Sequence, residues 1–141
     1  MQSSLGSFAT SFGWTGGDPC LGAWPGVACG PSGAVVSLAL PSLSGALPPS
    51  LFAITSLTSL AVASGSVASL PSEVGQLTAL VSLSLPGLGV SGTLPSALGL
   101  CTALRSVDLA RNSGLSGSLP ASLFTLPALT SLSLAGASLT G

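Results

Sequence analysis

The sequence predicts an α/β solenoid, in which short coils of chain stack on one another. Three observations lead to this fold class. Leu-Pro pairs recur at Leu47, Leu70, Leu94 and Leu119, at intervals of 23, 24 and 25 residues. Apolar residues follow each pair at fixed distances. Only five of 141 residues are charged, whereas 47% are apolar, which is more than a disordered chain carries.

Each proline is followed by three apolar columns. The third position after the proline is Leu51, Val74, Leu98 and Leu123; the sixth is Ile54, Leu77, Cys101 and Leu126; the ninth is Leu57, Leu80, Leu104 and Leu129. Several columns in one register do not follow from composition alone. They predict an irregular arc whose apolar side chains all point inward.

A short alternating segment follows each arc, and it predicts one β-strand per coil. Its inward pairs are Leu38/Leu40, Leu60/Val62, Leu83/Leu85, Val107/Leu109 and Leu132/Leu134. A single coil cannot bury its own apolar face. The coils must therefore stack, with their strands paired in parallel along one side.

The segment from Leu104 to Leu129, LRSVDLARNSGLSGSLPASLFTLPAL, resembles the plant-type leucine-rich repeat, LxxLxLxxNxLxGxIPxxLGxLxxL. The Leu-x-Gly-x-Leu-Pro part recurs as LSGALP at 43–48, VSGTLP at 90–95 and LSGSLP at 115–120. The resemblance covers about residues 33–141, or about four and a half repeats. It implies a right-handed leucine-rich repeat superhelix, with parallel β-strands on the concave face and irregular or 3-10 arcs on the convex face.

The turn asparagine of the family occurs here only as Asn112, while Leu88 and Ala137 stand at equivalent positions. In the family this side chain bonds backbone groups within the turn. The turns that lack it are therefore expected to be less ordered, unless Ser, Gly or water replaces its hydrogen bonds.

Residues 1–32 are predicted to cap the stack. Leu5, Phe8 and Phe12 have the spacing of a short amphipathic helix. The following stretch, from Trp14 through DPC at 18–20 to WPGVAC at 24–29, resembles the cysteine cap of plant repeats. In that family the two cysteines are joined. The resemblance thus implies a Cys20–Cys29 disulfide worth roughly 2–3 kcal/mol and an oxidising compartment.

Two other interpretations of this cap stay open. Cys20 and Cys29 could be free thiols or half of a metal site, although the chain has no His and only one other Cys to complete a zinc site. The tryptophans could stack on carbohydrate, but burial over the first coil is the favoured interpretation.

The residue inventory predicts no enzyme, no cofactor and no metal. Asp18, Glu73 and Asp108 fall in the cap, on an arc and on a strand, so they are expected to lie far apart. Cys101 has no His to activate it, and its column makes it a small buried hydrophobe. A net charge of −1 offers no nucleic-acid footprint.

No membrane span is predicted, because Ser or Thr interrupts the apolar stretch from Leu51 to Leu70 every few positions. The start, MQSSLGSFAT, lacks the basic and apolar regions of a signal peptide. Either the protein stays inside the cell or its true N-terminus lies further upstream.

Function is assigned to the outward positions of the strands. The candidate ligand face consists of Ser37, Ser59, Ser82, Ser84, Ser106, Asp108, Ser131 and Ser133. It could be a hydroxyl-lined groove for a glycan or a peptide backbone. The favoured alternative is that Ser is merely small and polar, since binding hot spots usually need Trp, Tyr or Arg. Asp108 and Arg105 are expected to be solvated or to pair with each other.

The sequence therefore predicts a recognition scaffold for a protein, peptide or glycan, at the cell surface as in the ectodomains of plant receptor-like kinases. The alternatives are a secreted wall-associated structural or inhibitor protein, as in polygalacturonase-inhibiting relatives, and an intracellular cytoskeletal scaffold. The repeat pattern stops at Leu139-Thr140-Gly141 without a closing cap. Self-association through this end is expected, because it leaves a strand edge and apolar columns uncovered.

Overall fold

The alternating segments form one long sheet, with one strand from each coil. The computed structural model describes residues 17–22 and 24–141; the predicted helix with Leu5, Phe8 and Phe12, and Trp14, lie outside the described residues. Its strands, in their order across the sheet, are β1 (Val27–Cys29), β2 (Val35–Leu40), β4 (Ser59–Val62), β6 (Ser82–Ser84), β7 (Ser106–Asp108) and β9 (Ser131–Ser133).

From β2 onward, neighbouring strands run parallel and pair equivalent residues. Leu38 is opposite Leu60, which is opposite Leu83, and the row continues through Val107 to Leu132. β1 is antiparallel to β2, unlike the other described pairs of strands, and it covers the free edge of β2. The predicted stacking of strand-and-arc coils is thus confirmed.

Each arc begins with a short 3-10 helix directly after the Leu-Pro pair. These helices are η1 (Pro49–Ala53), η2 (Ser72–Gln76), η3 (Ser96–Leu100) and η4 (Ala121–Thr125). The proline precedes each helix, and its carbonyl accepts a hydrogen bond from the third residue along, for example from the Leu51 N–H at 2.9 Å. A fixed φ and the missing N–H suit proline to this position. The bond also turns the third-position side chain inward.

A second row of short parallel strands lies beyond the main sheet, and the sequence pattern did not predict it. β3 (Leu43–Gly45) pairs with β5 (Gly65–Val67), and β8 (Ser116–Gly117) pairs with β10 (Ser138–Leu139). Gly65 has φ +123°, and a Cβ there would overlap the Leu43 carbonyl oxygen. Only glycine therefore permits this close pairing.

The apolar columns form a continuous core. All members of the third and sixth columns are buried, and so are Leu57, Leu80 and Leu104 of the ninth. The inward strand pairs are buried from Leu38 through Leu109, which confirms the predicted register. Leu129, Leu132 and Leu134, at the last strand, are partly buried and pack against this core.

Asn112 is the buried polar side chain of the described core, at 0% exposure. Its Oδ1 accepts hydrogen bonds from the N–H groups of Leu88 and Val90, both at 3.0 Å. Its Nδ2 donates to the carbonyls of Leu85 and Leu109, both at 2.9 Å. The turn around Leu88, which has no asparagine of its own, is therefore bonded by the asparagine of the next coil.

Candidate functional site

The candidate ligand face is one side of the main sheet, and its outward residues form rows across the coils. In the first row Ser37, Ser59, Ser82, Ser106 and Ser131 pair strand to strand. In the second row Ala39, Ala61, Ser84, Asp108 and Ser133 do the same. Because side chains alternate along a strand, both rows face away from the core. The structure thus brings all eight predicted residues onto one face.

Some serine hydroxyls elsewhere on the stack donate to the preceding coil. Ser64 donates to the Pro41 carbonyl and Ser91 to that of Ala68, both at 2.8 Å, and Ser138 to that of Ser113 at 3.0 Å. The face carries seven serines, Ser37, Ser59, Ser82, Ser84, Ser106, Ser131 and Ser133. Within residues 17–22 and 24–141, none of their hydroxyls has a hydrogen-bond partner. These seven donors are available to a ligand or to water.

An apolar groove runs along the carboxyl ends of the first strands and includes the start of the second row. Its lining is mostly prolines and alanines, chiefly Pro25, Pro41, Ala61, Ala63 and Pro86, with the hydroxyl side chain of Ser84 among them. Pro41, Ala63 and Pro86 occupy equivalent positions in three successive coils. The small Ala63 between two proline rings makes a hollow flanked by two ridges. The sequence offered no signal for this groove beyond the small size of the outward residues.

Charge is nearly absent from the face. Asp108 is its single charged member, and its Oδ1 accepts a hydrogen bond from the Ala110 N–H at 3.0 Å. Arg105 is exposed just before β7. The pairing of Arg105 with Asp108 that the sequence left open is not formed, and Asp108 instead bonds its own turn.

Arg111 is the second cation beside the face, and sequence reasoning did not single it out. It has φ +61°, while Gly87 and Gly136, at the equivalent positions of the neighbouring coils, have φ +65° and +83°. A non-glycine residue in this region carries backbone strain. The Arg111 Nε lies 3.9 Å from where a Cβ on Gly87 would stand, so its side chain extends toward the Gly87 turn.

The cap is closed by a Cys20–Cys29 disulfide, with the two Cα atoms 5.7 Å apart. Upstream of the bridge, the Asp18 Oδ1 accepts a hydrogen bond from the Cys20 N–H at 2.7 Å. Trp24 is 5% exposed and belongs to the core. Burial of this tryptophan over the first coil is therefore confirmed, and its ring face is not available to stack on a sugar.

Cys101 is a core residue, as its column predicted. It is completely buried, and its Sγ lies 3.3 Å from the Val74 carbonyl oxygen. Burial raises the pKa of the Cys101 thiol to about 11, because the thiolate would lose its hydration. The thiol is therefore neutral at ordinary pH and is a poor nucleophile.

Over the described part of the chain, no group of three or more His, Cys, Asp or Glu side chains is arranged to hold a metal ion. In the same residues, no helix has both the length and the apolar character needed to cross a membrane. The face itself presents serine hydroxyls and small apolar side chains.

The chain is similar to several solved plant structures. It is 38% identical to a chain in the BIR3–SERK2 complex from Arabidopsis thaliana, over 84% of this chain and 65% of that one, with a TM-score of 0.76. It is 31% identical to the BIR2 ectodomain from Arabidopsis thaliana, over 99% of this chain and 72% of that one, with a TM-score of 0.76.

A plant ice-binding protein gives a TM-score of 0.82 at 29% identity, over 99% of this chain and 49% of that one. The chain thus spans 65% of the BIR3–SERK2 match and about half of the ice-binding protein. No protein-family model matches the sequence. No curated protein matches it either.

Proposed function

Because the chain belongs to the plant-type leucine-rich repeat proteins with a cysteine cap, we propose that it is a recognition scaffold that binds a protein or peptide partner. Two comparisons support this function. BIR3, in one similar structure, is in complex with another protein, SERK2. BIR2, in another, is described as an ectodomain. Under this proposal the protein is receptor-like, and its repeats lie outside the cell.

The observation that carries the proposal is the row of unbonded hydroxyls beside an apolar groove. A partner laid across the strands meets hydrogen-bond donors on one side and apolar contact on the other. That pairing of a few polar groups with an apolar surface is common in binding sites. We infer in addition that the coils wind as a right-handed superhelix, which makes the strand face concave and lets it wrap such a partner.

The Cys20–Cys29 disulfide supports an extracellular site over the cytoskeletal alternative, because cytosolic thiols are kept reduced. The secreted wall-associated or inhibitor role uses the same face and stays an alternative form of the proposal. A catalytic role is not part of it, since the three described carboxylates lie in the cap, on η2 and on β7, and the buried Cys101 thiol is neutral. A glycan partner and self-association stay predictions.

A peptide-display selection against the folded, disulfide-bonded chain tests the proposal. Enriched peptides are measured on the native chain, on Ala61→Arg and on Ser66→Arg. Ala61 lies at the centre of the face, whereas Ser66 is an exposed residue of β5 outside it. We expect Ala61→Arg to weaken binding at least tenfold and Ser66→Arg to leave it within twofold. Peptides that bind both variants like the native chain, or no enriched peptide at all, contradict the proposal.

Ice is a second candidate ligand, favoured by one specific observation. The similarity to a plant ice-binding protein extends over 99% of this chain, and the first row presents five serine hydroxyls at the regular strand spacing of about 4.8 Å. A repeated array of neutral hydroxyls suits a periodic solid surface. Inhibition of ice recrystallisation by the native chain, lost in a Ser59→Arg, Ser82→Arg variant and kept in Ser66→Arg, is the expected result. Unchanged recrystallisation with the native chain contradicts this candidate.

A further inference from the structure

From the spacing of the groove we propose that the strand face is a docking surface for a neutral polyproline II segment of another protein, lying across the strands. The inference rests on the proposed recognition function and deepens it by naming the chemistry of the partner. It depends on three features of the face: its period, its hydrogen-bonding groups and its charge.

The period of the face matches polyproline II and does not match a β-strand. Neighbouring strands lie about 4.8 Å apart, so Pro41 and Pro86, two coils apart, repeat at roughly 9.5 Å. A polyproline II helix has three residues per turn and a rise of about 3.1 Å, so residues i and i+3 lie on one side roughly 9.3 Å apart. Three residues of a β-strand also span about 10 Å, but i and i+3 then point to opposite sides.

The ridges and hollow of the groove follow this period. The Pro41 and Pro86 rings stand on either side of the smaller Ala63, which is exposed. A pyrrolidine ring of the bound segment can enter the hollow at Ala63. The ring three residues later lies on the same side of the polyproline II helix and therefore two coils further along the sheet. The contact is apolar and needs no rearrangement of the sheet.

The hydrogen-bonding groups are complementary as well. Ser84 lines the groove, and Ser59 and Ser82 lie in the adjacent first row; none of these three hydroxyls has a hydrogen-bond partner in the described residues, so all can donate. A proline-rich segment has carbonyl acceptors and few N–H donors. In polyproline II these carbonyls make no internal hydrogen bonds. The carbonyl acceptors of the segment can therefore face the side of the groove that offers hydroxyl donors. Because the segment already has its bound conformation, it loses little conformational entropy on binding.

The absence of charged side chains from the groove favours a neutral partner. No charged residue lines the groove, and Asp108 lies one coil beyond Ser84. A charged segment would lose hydration in the groove without gaining an ion pair. An uncharged proline-rich segment avoids the larger cost of desolvating an ion.

The test titrates the full disulfide-bonded chain, labelled with ¹⁵N, with acetylated and amidated nona-L-proline. Two control peptides have equal length: nona-D-proline, which forms the mirror-image helix, and a flexible Gly-Ser peptide. We expect saturable binding of the L peptide, at least tenfold tighter than either control. Equal binding of L and D peptides, or no saturable binding of the L peptide, overturns the inference.

Matched variants locate the site. Ala63→Arg fills the hollow, and Ala68→Arg changes another exposed alanine of the same coil outside the groove. Ala63→Arg should weaken binding of the L peptide at least tenfold and Ala68→Arg less than twofold. Replacing Ser82 and Ser84 together by alanine should weaken binding of the L peptide at least threefold, whereas Ser96→Ala, on η3, should not. Native-like binding by Ala63→Arg also overturns the inference.

The display selection distinguishes failure of the polyproline II inference from failure of the recognition function. If selected peptides lose affinity on Ala61→Arg while nona-L-proline does not bind, the polyproline II inference fails and the recognition function stands. If selected peptides are indifferent to Ala61→Arg, the recognition function itself fails.

Discussion

Asn112 links two coils through hydrogen bonds that no other residue type of its size can replace. Its amide both accepts from the Leu88 and Val90 N–H groups and donates to the Leu85 and Leu109 carbonyls. Asn112→Ala leaves these buried groups unpaired, at about 1–3 kcal/mol each where water cannot reach them. We expect the free energy of unfolding in urea to fall by roughly 3–5 kcal/mol. Ser113→Ala, an exposed neighbour, is the control, and a loss below about 1 kcal/mol for Asn112→Ala would contradict this role.

Cys101 gives the protein a pH dependence of defined sign. Burial raises the pKa of its thiol from 9.0 to about 11. Below pH 9 both folded and unfolded chains hold the proton, so the thiol contributes no slope. Between pH 9 and 11 the unfolded chain releases the thiol proton while the folded chain still holds it, so the free energy of unfolding falls as the pH rises. The loss amounts to about 2–3 kcal/mol.

Urea unfolding at several pH values from 8 to 11 measures this loss. The chain has no Lys and no Tyr, and Cys20 and Cys29 are bonded, so Cys101 is the side chain that titrates in this range. Cys101→Ala should therefore abolish the alkaline slope, at a modest cost in stability at pH 7. An alkaline slope that persists in Cys101→Ala would refute the assignment.

At the scale of elements, the cap protects the edge of β2. Removing the bridge with Cys20→Ser and Cys29→Ser should lower stability by roughly 2–3 kcal/mol, because the unfolded chain gains freedom. Coils contact only their neighbours, so the loss should begin at this end of the stack. Hydrogen exchange should accelerate first in β1 and β2 and least in β7. Faster exchange in β7 than in β2 would show that the cap does not serve this purpose.

The second strand row depends on glycine where β3 and β5 meet. Gly65→Ala adds backbone strain and places a Cβ against the Leu43 carbonyl oxygen. Gly89 also has positive φ, +72°, but open space around it. Thermal unfolding should show a loss of roughly 1–2 kcal/mol for Gly89→Ala, from strain alone, and a clearly larger loss for Gly65→Ala. Equal losses would mean that the close pairing is not required.

At the scale of the whole molecule, the core could be predicted because it follows from one-dimensional periodicity. Leu51, Leu77 and Leu98 are buried as their columns required. Cys101 is identified as core by the same register, despite its reactive side chain. The Cys20–Cys29 bridge followed from resemblance to a known cap.

Contacts between coils could not be predicted in the same way. Ser59 and Ser64 look alike in the sequence, yet only the hydroxyl of Ser64 meets a carbonyl of the preceding coil. The strands β3 and β5 and the bonds from Asn112 to the Leu88 turn also depend on which backbone groups face each other after stacking. The groove arises from the relative heights of Pro41, Ala63 and Pro86, which lie far apart in the chain.

The location of a bound partner tests the central claim that the strand face is the recognition surface. Amide chemical shifts of the ¹⁵N-labelled chain are compared with and without a display-selected peptide at saturation. We predict changes along the outward rows, at Ser59, Ala61 and Ser84, with none in η2 or η4. Changes confined to the 3-10 arcs, with the strand residues unmoved, would contradict the account.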